Sequence, residues 1–447
     1  MNNLIRQYLE SVSLYTADYH DVSKIRTQWT EPDPAMYIPR WQFGKISNIE
    51  LIIRKFYGII EFKHNVVTIR YSGGVDTAYT DNPFTYLRSF DRFWQQYNLN
   101  RYLFYTGLLA YDLHRYTENV SPATDFYGIP DFYLLIPGDF ALIEHDRRRI
   151  TIGKCLNVLE SMDPHHSDWA VKTASDIKIS EPKPSYINKI NTIRSQIIDG
   201  EVYQINYTIR FSTPYSNSAY SLFKKMYTIN PAPFSVYVQT PSVEVVCNSP
   251  ERFLSVSGND IITEPIKGTI KKLQDSRQDA DQIETLLSSE KDAAELSMIV
   301  DLLRNDLSKV SAPGSVRVEN HRRLESFTNV HHLVSTVRSE MDERYHLFDL
   351  IRGAFPGGSI SGCPKIAALK LIASLESHNR GFYTGSFFLR FPGRHEFDSN
   401  ILIRTAQMIT DILYFQAGGG IVIDSEPESE YEECLAKANS FLKAVGS

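Results

Sequence analysis

The chain has 447 residues, of which 42% are hydrophobic and 22% are charged. This composition excludes intrinsic disorder, collagen and a coiled-coil rod, and the length is sufficient for one large core or two. With 47 basic and 53 acidic residues the formal charge is −6, so the basic footprint of a nucleic-acid-binding protein is absent. There is no apolar run of about 18 residues and no secretory signal, so we expect a cytoplasmic protein that binds neither nucleic acid nor membrane.

Aromatic and β-branched runs in the first half predict strands over residues 66–71 and 132–136. Charged residues, two prolines and two serines are concentrated in residues 176–185, which is typical of a linker between structured segments. The sequence therefore predicts an N-terminal region over residues 1–180 and a second region over residues 181–447.

Isoleucines at helical spacing open the second half and predict a helix that stops at Gly200, before a strand over residues 202–211. Short strands follow, and then a long helical block over residues 274–310. A last helix starts near Ser425, where the sequence Ser-Glu-Pro-Glu matches a capping box with proline in the first turn. Helices and strands are mixed without strict alternation, which favours the α+β class.

Two pairs of acidic residues stand three positions apart on predicted helices, Asp292 with Glu295 and Glu430 with Glu433. Each pair projects from one helical face, and two such faces brought together would form an oxygen-only site suited to Mg²⁺. Two solvated acidic helix faces are the alternative, and spacing alone favours it because charge at helical spacing is common on surfaces.

Lys267 lies in the sequence EPIKGT, between a strand-like run and a glycine. A lysine in buried surroundings can lose its proton and act as a nucleophile, because desolvation lowers its pKa. The alternative is an exposed lysine on a turn, which is the usual location of lysine. Glu251, in the sequence SPERF, is either a general acid or an ion-pair partner of Arg252.

Two glycine-rich segments, residues 355–365 and 417–422, allow backbone amides to approach an anion closely. Neither matches a P-loop, and simple turns are the alternative. Arg404 lies in an apolar, strand-like run, where a guanidinium needs an anionic partner. That partner is either a ligand or the acid of a structural ion pair.

Ten segments of the second half resemble the chorismate-utilising enzyme family, and they occur in the family's order. The match runs from about residue 185 to residue 444, and the first half adds a weaker match in GLLAYDLHRYTE. The ten segments are GEVYQINYTIRF, SPERFL, PIKGT, EKDAAELSMIVDLLRNDL, VHHLVSTV, FPGGSISGCPK, RGFYTGSF, NILIRTA, AGGGIV and SEYEECLAKA. The resemblance implies an α+β fold with a large antiparallel β sandwich flanked by helices, and it makes residues 181–447 the chorismate-binding catalytic region.

The resemblance also implies roles for individual residues. It implies a bound Mg²⁺, with Glu295 and Glu433 as ligands and with Asp292 and Glu430 in supporting or water-mediated positions. The implied catalytic residues are Lys267, Glu251 and His332. A hydrogen-bonded core histidine is the alternative for the last of these. The residues implied to hold the substrate are Gly268, Thr269, Tyr383, Arg404, Gly418, Gly419 and Gly420.

Two positions separate the activities within the family. Gln204 stands where isochorismate and salicylate synthases have a lysine that activates water, and an amide cannot act as a base. The sequence PIKGT, which contains Lys267, resembles component I of the aminodeoxychorismate synthases, whereas anthranilate synthases typically read PIAGT. The resemblance therefore implies conversion of chorismate and ammonia to 4-amino-4-deoxychorismate through a covalent lysine intermediate, in 4-aminobenzoate and folate biosynthesis.

Ammonia for this reaction requires a source. The sequence ends just past the last family motif and contains no fused glutaminase with a Cys-His-Glu triad, so we expect a separate glutamine amidotransferase subunit as the partner. Component I of anthranilate synthase is the main alternative function. A non-catalytic subunit that binds chorismate is a second alternative from a different class.

Overall fold

A computed structural model describes residues 2–43, 47–97, 100–118, 120–121, 123–159, 177–327 and 329–446. These residues form helices and strands in similar proportion. The α-helices are α1 (Asn2–Ser11), α2 (Val22–Thr30), α3 (Pro83–Tyr97), α4 (Lys183–Ile198), α5 (Ala219–Ile229), α6 (Ser276–Ser288), α7 (Glu290–Ser308), α8 (Leu347–Ala354), α9 (Lys365–Leu375) and α10 (Pro427–Gly446).

The strands are short in most cases. Those of the first half are β1 (Val12–Ala17), β2 (Met36–Phe43), β3 (Ser47–Lys63), β4 (Val66–Tyr71), β5 (Gly74–Tyr79), β6 (Tyr105–Leu109), β7 (Phe132–Glu144), β8 (Arg149–Cys155) and β9 (Lys178–Ile179). Those of the second half are β10 (Gln204–Pro214), β11 (Phe234–Gln239), β12 (Glu244–Ser249), β13 (Arg252–Ser257), β14 (Asp260–Glu264), β15 (Ile266–Lys271), β16 (Arg317–Ser326), β17 (Val330–Glu340), β18 (Gly362–Cys363), β19 (Ser386–Phe391), β20 (Glu396–Asn400), β21 (Thr405–Ile409) and β22 (Ile412–Ile421).

Strands from both halves of the chain pair with each other. Strand β2 lies between β3 and β11, and β6 lies between β7 and β19, with antiparallel pairing in each case. In the second half, β10 pairs with β22 over ten residue pairs, and β22 pairs in turn with β21. The boundary at residue 180 stays a prediction.

Aromatic contacts between unpaired strands show that the sheet folds back on itself. The ring of Trp41 on β2 lies 5.6 Å from that of Phe387 on β19, and the rings of Phe43 and Phe391 on the same two strands lie 5.1 Å apart. These side chains are buried in one large apolar cluster, where aromatic rings contribute much of the buried area. The α+β class with an antiparallel sandwich and flanking helices is therefore confirmed.

Most predicted elements are present in the structure, and the main difference is in the long helical block. Ser289 is extended there, with ψ at 107°, so the block is divided into α6 and α7. The Ser289 hydroxyl accepts a hydrogen bond from the Asp292 N–H and caps α7. At the last helix, which begins at Pro427, the Ser425 hydroxyl does not form the predicted capping box: it accepts from the Val422 N–H and donates to the Glu430 carboxylate. No helix among the described residues has the length and apolar character needed to cross a membrane.

Candidate active site

An irregularity in β15 positions Lys267. Strand β15 pairs with β17, and the register shifts between Lys267 and Thr269, where Gly268 adopts a φ of +66°. A Cβ at Gly268 would lie only 3.0 Å from the Cγ atom of Asp292 on α7. Glycine is therefore needed both for the backbone conformation and for the close approach of β15 to α7. Lys267 is half-buried at this junction.

Glu251, which immediately precedes β13, is 5% exposed. Burial raises the pKa of its carboxyl group to about 7, and the Ser359 hydroxyl, the Lys267 ammonium and the Ile266 N–H oppose this rise. A carboxyl group with a pKa near 7 carries a proton in a large fraction of molecules at neutral pH and can release it during a reaction. Glu251 thus has the properties of a general acid.

His332 faces the same region from β17. Its Nδ1 atom lies 2.8 Å from the Thr269 hydroxyl. Burial, together with the nearby Arg404 guanidinium, lowers the pKa of His332 to about 4, so the imidazole is neutral at pH 7. Its Nε2 atom is buried and has no hydrogen-bond partner among the described residues. Because buried polar atoms are normally satisfied, this nitrogen indicates a position for a polar ligand.

Arg404 lies in a bend between β20 and β21, with a φ of +49°, and not in a strand as the apolar sequence around it suggested. Burial lowers the pKa of its guanidinium, and no carboxylate within the described part of the chain forms an ion pair with it. Removing a charge from water without an opposite charge is costly. The alternative of a structural salt bridge is therefore not supported by the described residues, and an anionic ligand would supply the missing charge.

The acids of α7 and α10 lie within electrostatic reach of one another. Burial raises the pKa of Glu295, Lys267 opposes this rise, and the negative charges of Asp292 and Glu430 add to it. Burial also raises the pKa of Glu430, although its Oε1 atom accepts a hydrogen bond of 2.7 Å from Ser425. Negative charge is thus concentrated between the two helices, and a bound cation would relieve the repulsion.

Glu433 on α10 has a different environment. Burial would raise its pKa, but Lys437 holds it below the ordinary value, with 2.7 Å between Lys437 Nζ and Glu433 Oε1. The same ammonium donates to the Gly418 carbonyl at 3.1 Å. A Cβ at Gly419 would lie 3.3 Å from Glu430 Oε2, so the glycine run lets β22 lie directly against the acids of α10. Gly420 contacts the Gln204 side chain in the same way.

The four acids supply only hard oxygen donors, which is the chemistry that Mg²⁺ prefers. Burial keeps the pKa values of Glu295 and Glu430 raised, although Lys291 lies near both of them. Among the residues that the structure describes, however, no three His, Cys, Asp or Glu side chains converge closely enough to hold one metal ion. The donor set therefore fits Mg²⁺ in kind, and the metal site stays a prediction.

Tyr383 is 5% exposed and lies near Arg380 and Cys434, which links it to α10. Burial raises the pKa of its phenol, so the hydroxyl is protonated at neutral pH. Tyr383 therefore lies on the side of the site that carries the acids of α10. Thr269, His332 and Arg404 form the other side of the site. Its role as a substrate contact stays a prediction.

Sequence reasoning missed two features of the site. Lys437 follows Glu433 by four positions on a helix, and this spacing is the signal that would have indicated their ion pair. Lys365, at the end of the first glycine-rich segment, is buried and donates to Asp306 at 2.6 Å. This pair fastens the segment to α7, so the segment has a structural role whether or not its amides bind an anion.

Comparisons with known proteins identify the family of this chain. The family model for chorismate binding enzymes matches residues 54–443. Aminodeoxychorismate synthase component 1 of Klebsiella aerogenes is 39% identical over 76% of this chain and 77% of its own length. Anthranilate synthase component 1 of Thermus thermophilus is 34% identical over 76% of each chain.

A solved structure shows the same fold. Anthranilate synthase component I from Streptococcus pneumoniae superposes with a TM-score of 0.74 over 88% of this chain and 92% of that one, at 24% identity. At this identity the likeness speaks for the fold alone, whereas the family match covers most of the sequence. The chain therefore belongs to the family of chorismate binding enzymes, as its motifs predicted, and is a chorismate-utilising enzyme.

Proposed function

We propose that this enzyme converts chorismate and ammonia to 4-amino-4-deoxychorismate, with Lys267 as the covalent catalyst. The position of Lys267 carries the proposal, because its ammonium lies close enough to Glu251, Glu295 and Glu433 to affect the pKa of each. A side chain that can act as a nucleophile thus lies near an acid with a raised pKa and near two of the acids that would hold a cation. Relatives named aminodeoxychorismate synthase component 1, at up to 39% identity, support the choice of reaction.

Substrate binding follows from the charges that the protein leaves uncompensated. Chorismate carries two carboxylates, and Arg404 is suited to take one of them in a bidentate pair. Glu295 and Glu433 would hold Mg²⁺, supported by Asp292 and Glu430. The ion would supply positive charge that orients the second carboxylate. Thr269 and the neutral His332, which are hydrogen-bonded to each other, would donate or accept hydrogen bonds beside the ring.

The reaction is then two displacements. The Lys267 side chain first gives up a proton to solvent, and its amine then attacks ring carbon 2. The double bond migrates, and the bond between carbon 4 and its hydroxyl oxygen breaks. Glu251 protonates that oxygen, which leaves as water, and then takes a proton from the alkylated amine. Ammonia attacks carbon 4, the double bond returns, and the bond to Lys267 breaks as a proton passes from the new amine to the lysine. Splitting one difficult displacement into two makes each easier and regenerates the enzyme.

The supply of ammonia defines the expected partner. We infer that a glutamine amidotransferase subunit delivers ammonia to this chain, and the name component 1 of its relatives supports the existence of a second component. The product is the precursor of 4-aminobenzoate, which places the enzyme in folate biosynthesis.

Anthranilate synthesis is the second candidate, and a specific observation favours it. Relatives named anthranilate synthase component 1 reach 39% identity, as high as the first group. The sequence at Lys267 favours the first candidate, because a nucleophilic side chain there has no use in a reaction that adds ammonia directly to carbon 2. Water is a poor nucleophile in either case, since Gln204 cannot activate it.

One assay separates these functions. The chain is incubated with chorismate, Mg²⁺ and an ammonium salt, a lyase specific for 4-amino-4-deoxychorismate is added, and the aromatic product is identified. We expect 4-aminobenzoate that depends on the lyase. Fluorescent anthranilate formed without the lyase would contradict the proposal and support the second candidate. Absence of any turnover would indicate a non-catalytic chorismate-binding subunit.

A further inference from the structure

Thr384 has a backbone conformation that β-branched residues rarely adopt. It is 1% exposed, and its φ is +60°, in the left-handed region. In this region the Cβ atom approaches the following carbonyl oxygen too closely, so the conformation costs free energy for most residues other than glycine. A β-branched residue there is an outlier. Such outliers persist only where the surrounding structure enforces them, and they are concentrated at functional sites.

The outlier lies in a tight turn from Phe382 to Gly385, in which the Gly385 N–H donates to the Phe382 carbonyl at 2.9 Å. Of the two central residues, Tyr383 and Thr384, only Thr384 has a positive φ. A positive φ at the third position of such a turn is typical of type II, where glycine is the usual residue. Neighbouring contacts must therefore hold the threonine in place.

The Thr384 hydroxyl makes two of these contacts. It donates to the Tyr383 carbonyl at 2.6 Å and accepts from Arg380 Nη1 at 3.3 Å. Arg380 is fixed in turn, because it is 1% exposed and its Nη2 atom lies 2.7 Å from Glu376 Oε1. The Nη1 atom also donates to the Ile360 carbonyl at 2.9 Å. Arg380 thus fastens the turn to the first glycine-rich segment of the site.

Gly385 leaves the turn no room on its other side. A Cβ at Gly385 would overlap the Leu109 carbonyl oxygen and would lie 3.0 Å from the Tyr111 backbone nitrogen. The backbone of the turn therefore lies directly against the end of β6, and glycine is needed for this close approach.

Two main-chain hydrogen bonds connect the turn to the segment that carries Arg404. The Thr384 N–H donates to the Leu402 carbonyl, and the Leu402 N–H donates to the Gly385 carbonyl, each at 2.9 Å. Arg404 follows Leu402 by two residues and also has a positive φ, of +49°. Two residues in the left-handed region are thus coupled through Leu402.

The segment from Leu402 to Arg404 transmits the position of the turn because it is short and fully bonded. The Ile403 N–H donates to the Ile401 carbonyl at 2.8 Å. The Arg404 carbonyl accepts from the Asn248 N–H at 3.0 Å. A change in the turn would therefore displace Leu402 and alter the direction of the Arg404 side chain.

We propose that Thr384 is a positioning residue: its left-handed conformation, held by its own hydroxyl and by Arg380, fixes the direction in which Arg404 presents its guanidinium to a carboxylate of the substrate. The inference rests on the proposed function, because Arg404 binds chorismate in that scheme. Thr384 acts through Arg404 and need not touch the substrate.

The test uses the fact that glycine adopts the left-handed conformation at little cost. Thr384→Gly keeps the turn, whereas Thr384→Val keeps the β-branched shape and loses the hydroxyl that holds it. Equilibrium binding of chorismate is measured by calorimetry with Mg²⁺ and without ammonia. We expect Thr384→Val to raise the Kd for chorismate by about tenfold or more and Thr384→Gly to leave it within about threefold.

This order is the reverse of the one that packing alone predicts. If Thr384 only filled space, valine would be tolerated best because of its similar shape, and glycine would be tolerated worst because it leaves a cavity. A Kd that Thr384→Gly raises more than Thr384→Val does, or that neither variant changes, would overturn the proposal.

Thr410 supplies the matched control. It is the other threonine with a positive φ among the described residues, at +55°, and it is exposed between β21 and β22. Thr410→Val should leave the Kd for chorismate unchanged. An effect equal to that of Thr384→Val would show that strain anywhere in the sheet weakens binding, and would overturn a specific role for Thr384.

Thr384→Ala keeps the test decisive if denaturant unfolding shows that Thr384→Val does not fold. Alanine fills more space than glycine, so packing predicts a smaller effect for Thr384→Ala than for Thr384→Gly. Positioning predicts the opposite, with a Kd about threefold or more above that of Thr384→Gly, because alanine resists the left-handed conformation. A crystal structure of the unaltered chain with a negative φ at Thr384 would also overturn the proposal.

Arg404→Met separates this inference from the proposed function. If Arg404→Met binds chorismate as tightly as the unaltered chain, the role of Arg404 in substrate binding is wrong, and the role of Thr384 is wrong with it. If Arg404→Met weakens binding strongly and Thr384→Val does not, only the positioning role is overturned.

Discussion

The cluster around Asp91 and the candidate active site both contain buried charges, but only the first is neutralised by the protein itself. Arg390 donates to both carboxylate oxygens of Asp91, at 2.9 and 3.0 Å, and the Tyr105 hydroxyl donates at 2.6 Å. Although burial would raise the pKa of Asp91, Arg390 holds it well below its usual range. The carboxylate and the guanidinium satisfy each other.

The candidate active site has the opposite character. Arg404 has no acid partner among the described residues, Glu251 has a raised pKa, and His332 leaves a buried nitrogen without a hydrogen bond. The same residue types therefore stabilise the fold in one region, where each has a partner, and lack protein partners in the other. Buried polar or charged groups that lack a partner indicate where a ligand binds.

The largest expected effect is that of the nucleophile. Lys267→Ala should lower turnover of chorismate with ammonia by at least about 10³-fold, because the covalent route is lost. Intact-mass spectrometry after rapid quenching should show an adduct on the unaltered chain and none on the variant. Lys271→Ala, at an exposed position on the same strand, is the control. Normal turnover by Lys267→Ala would remove the lysine from the mechanism.

Arginine substitutions test the comparison directly. Arg390→Met should destabilise the protein by about 3–5 kcal/mol, because the buried Asp91 loses the guanidinium that compensates its charge. Arg404→Met should leave the free energy of unfolding unchanged or raise it, while it raises the KM for chorismate strongly. Denaturant unfolding and steady-state kinetics measure the two effects. An equal loss of stability in both variants would show that Arg404 has a structural partner.

The pKa of Glu251 predicts a dependence of stability on pH. The folded state holds this proton up to a pH of about 7, whereas an unfolded glutamate loses it near the ordinary value of 4.5. Stability must therefore decrease as the pH rises through that interval, by about 3 kcal/mol in total. Glu251→Gln should remove this decrease, so the variant gains stability relative to the unaltered chain at pH 8 and not at pH 4.

Thermal unfolding at several pH values measures this difference. Glu284→Gln, at an exposed position, is the control and should follow the unaltered chain. Parallel pH profiles for the unaltered chain and Glu251→Gln would show that the Glu251 carboxyl is not protonated in the folded state.

The smallest expected effect concerns the cation. Mg²⁺ at 100 times its Kd should stabilise the unaltered chain by about 2.7 kcal/mol, and chelation should reverse this. Glu433→Gln should lose most of the stabilisation, whereas Glu428→Gln, exposed on the same helix, should retain it. The shift of the melting temperature with Mg²⁺ measures the effect, and an equal shift in all three proteins would place the ion elsewhere.

The sequence predicted the family, because the residues of the site occur in short motifs whose order along the chain is typical of that family. It predicted Lys267 and Glu251 as candidates, and the resemblance implied one site with Glu295 and Glu433. The bulge at Gly268 and the helix packing that bring Lys267 near these two acids could not be read from the sequence. The apolar neighbours of Arg404 predict a strand, but local hydropathy does not reveal the positive φ that this residue adopts.

The pairing of strands from the two halves could not be predicted from the sequence either. Strands β2 and β11 are adjacent in the sheet although many other elements separate them along the chain. No local pattern of hydrophobicity or turn residues records such a pairing. The break at Ser289 is different, since serine before acidic residues is a recognisable helix cap, even within a helix-forming region.

The interleaved sheet has a consequence for how the protein is made. Strand β2 leaves the ribosome long before β11 is translated, and β6 leaves it long before β19. Their backbone edges therefore stay open for roughly ten seconds or more at ordinary rates of translation. An open edge is a template for mispairing with another nascent chain. The yield of native protein should thus depend on translation speed and on chaperones that shield these edges.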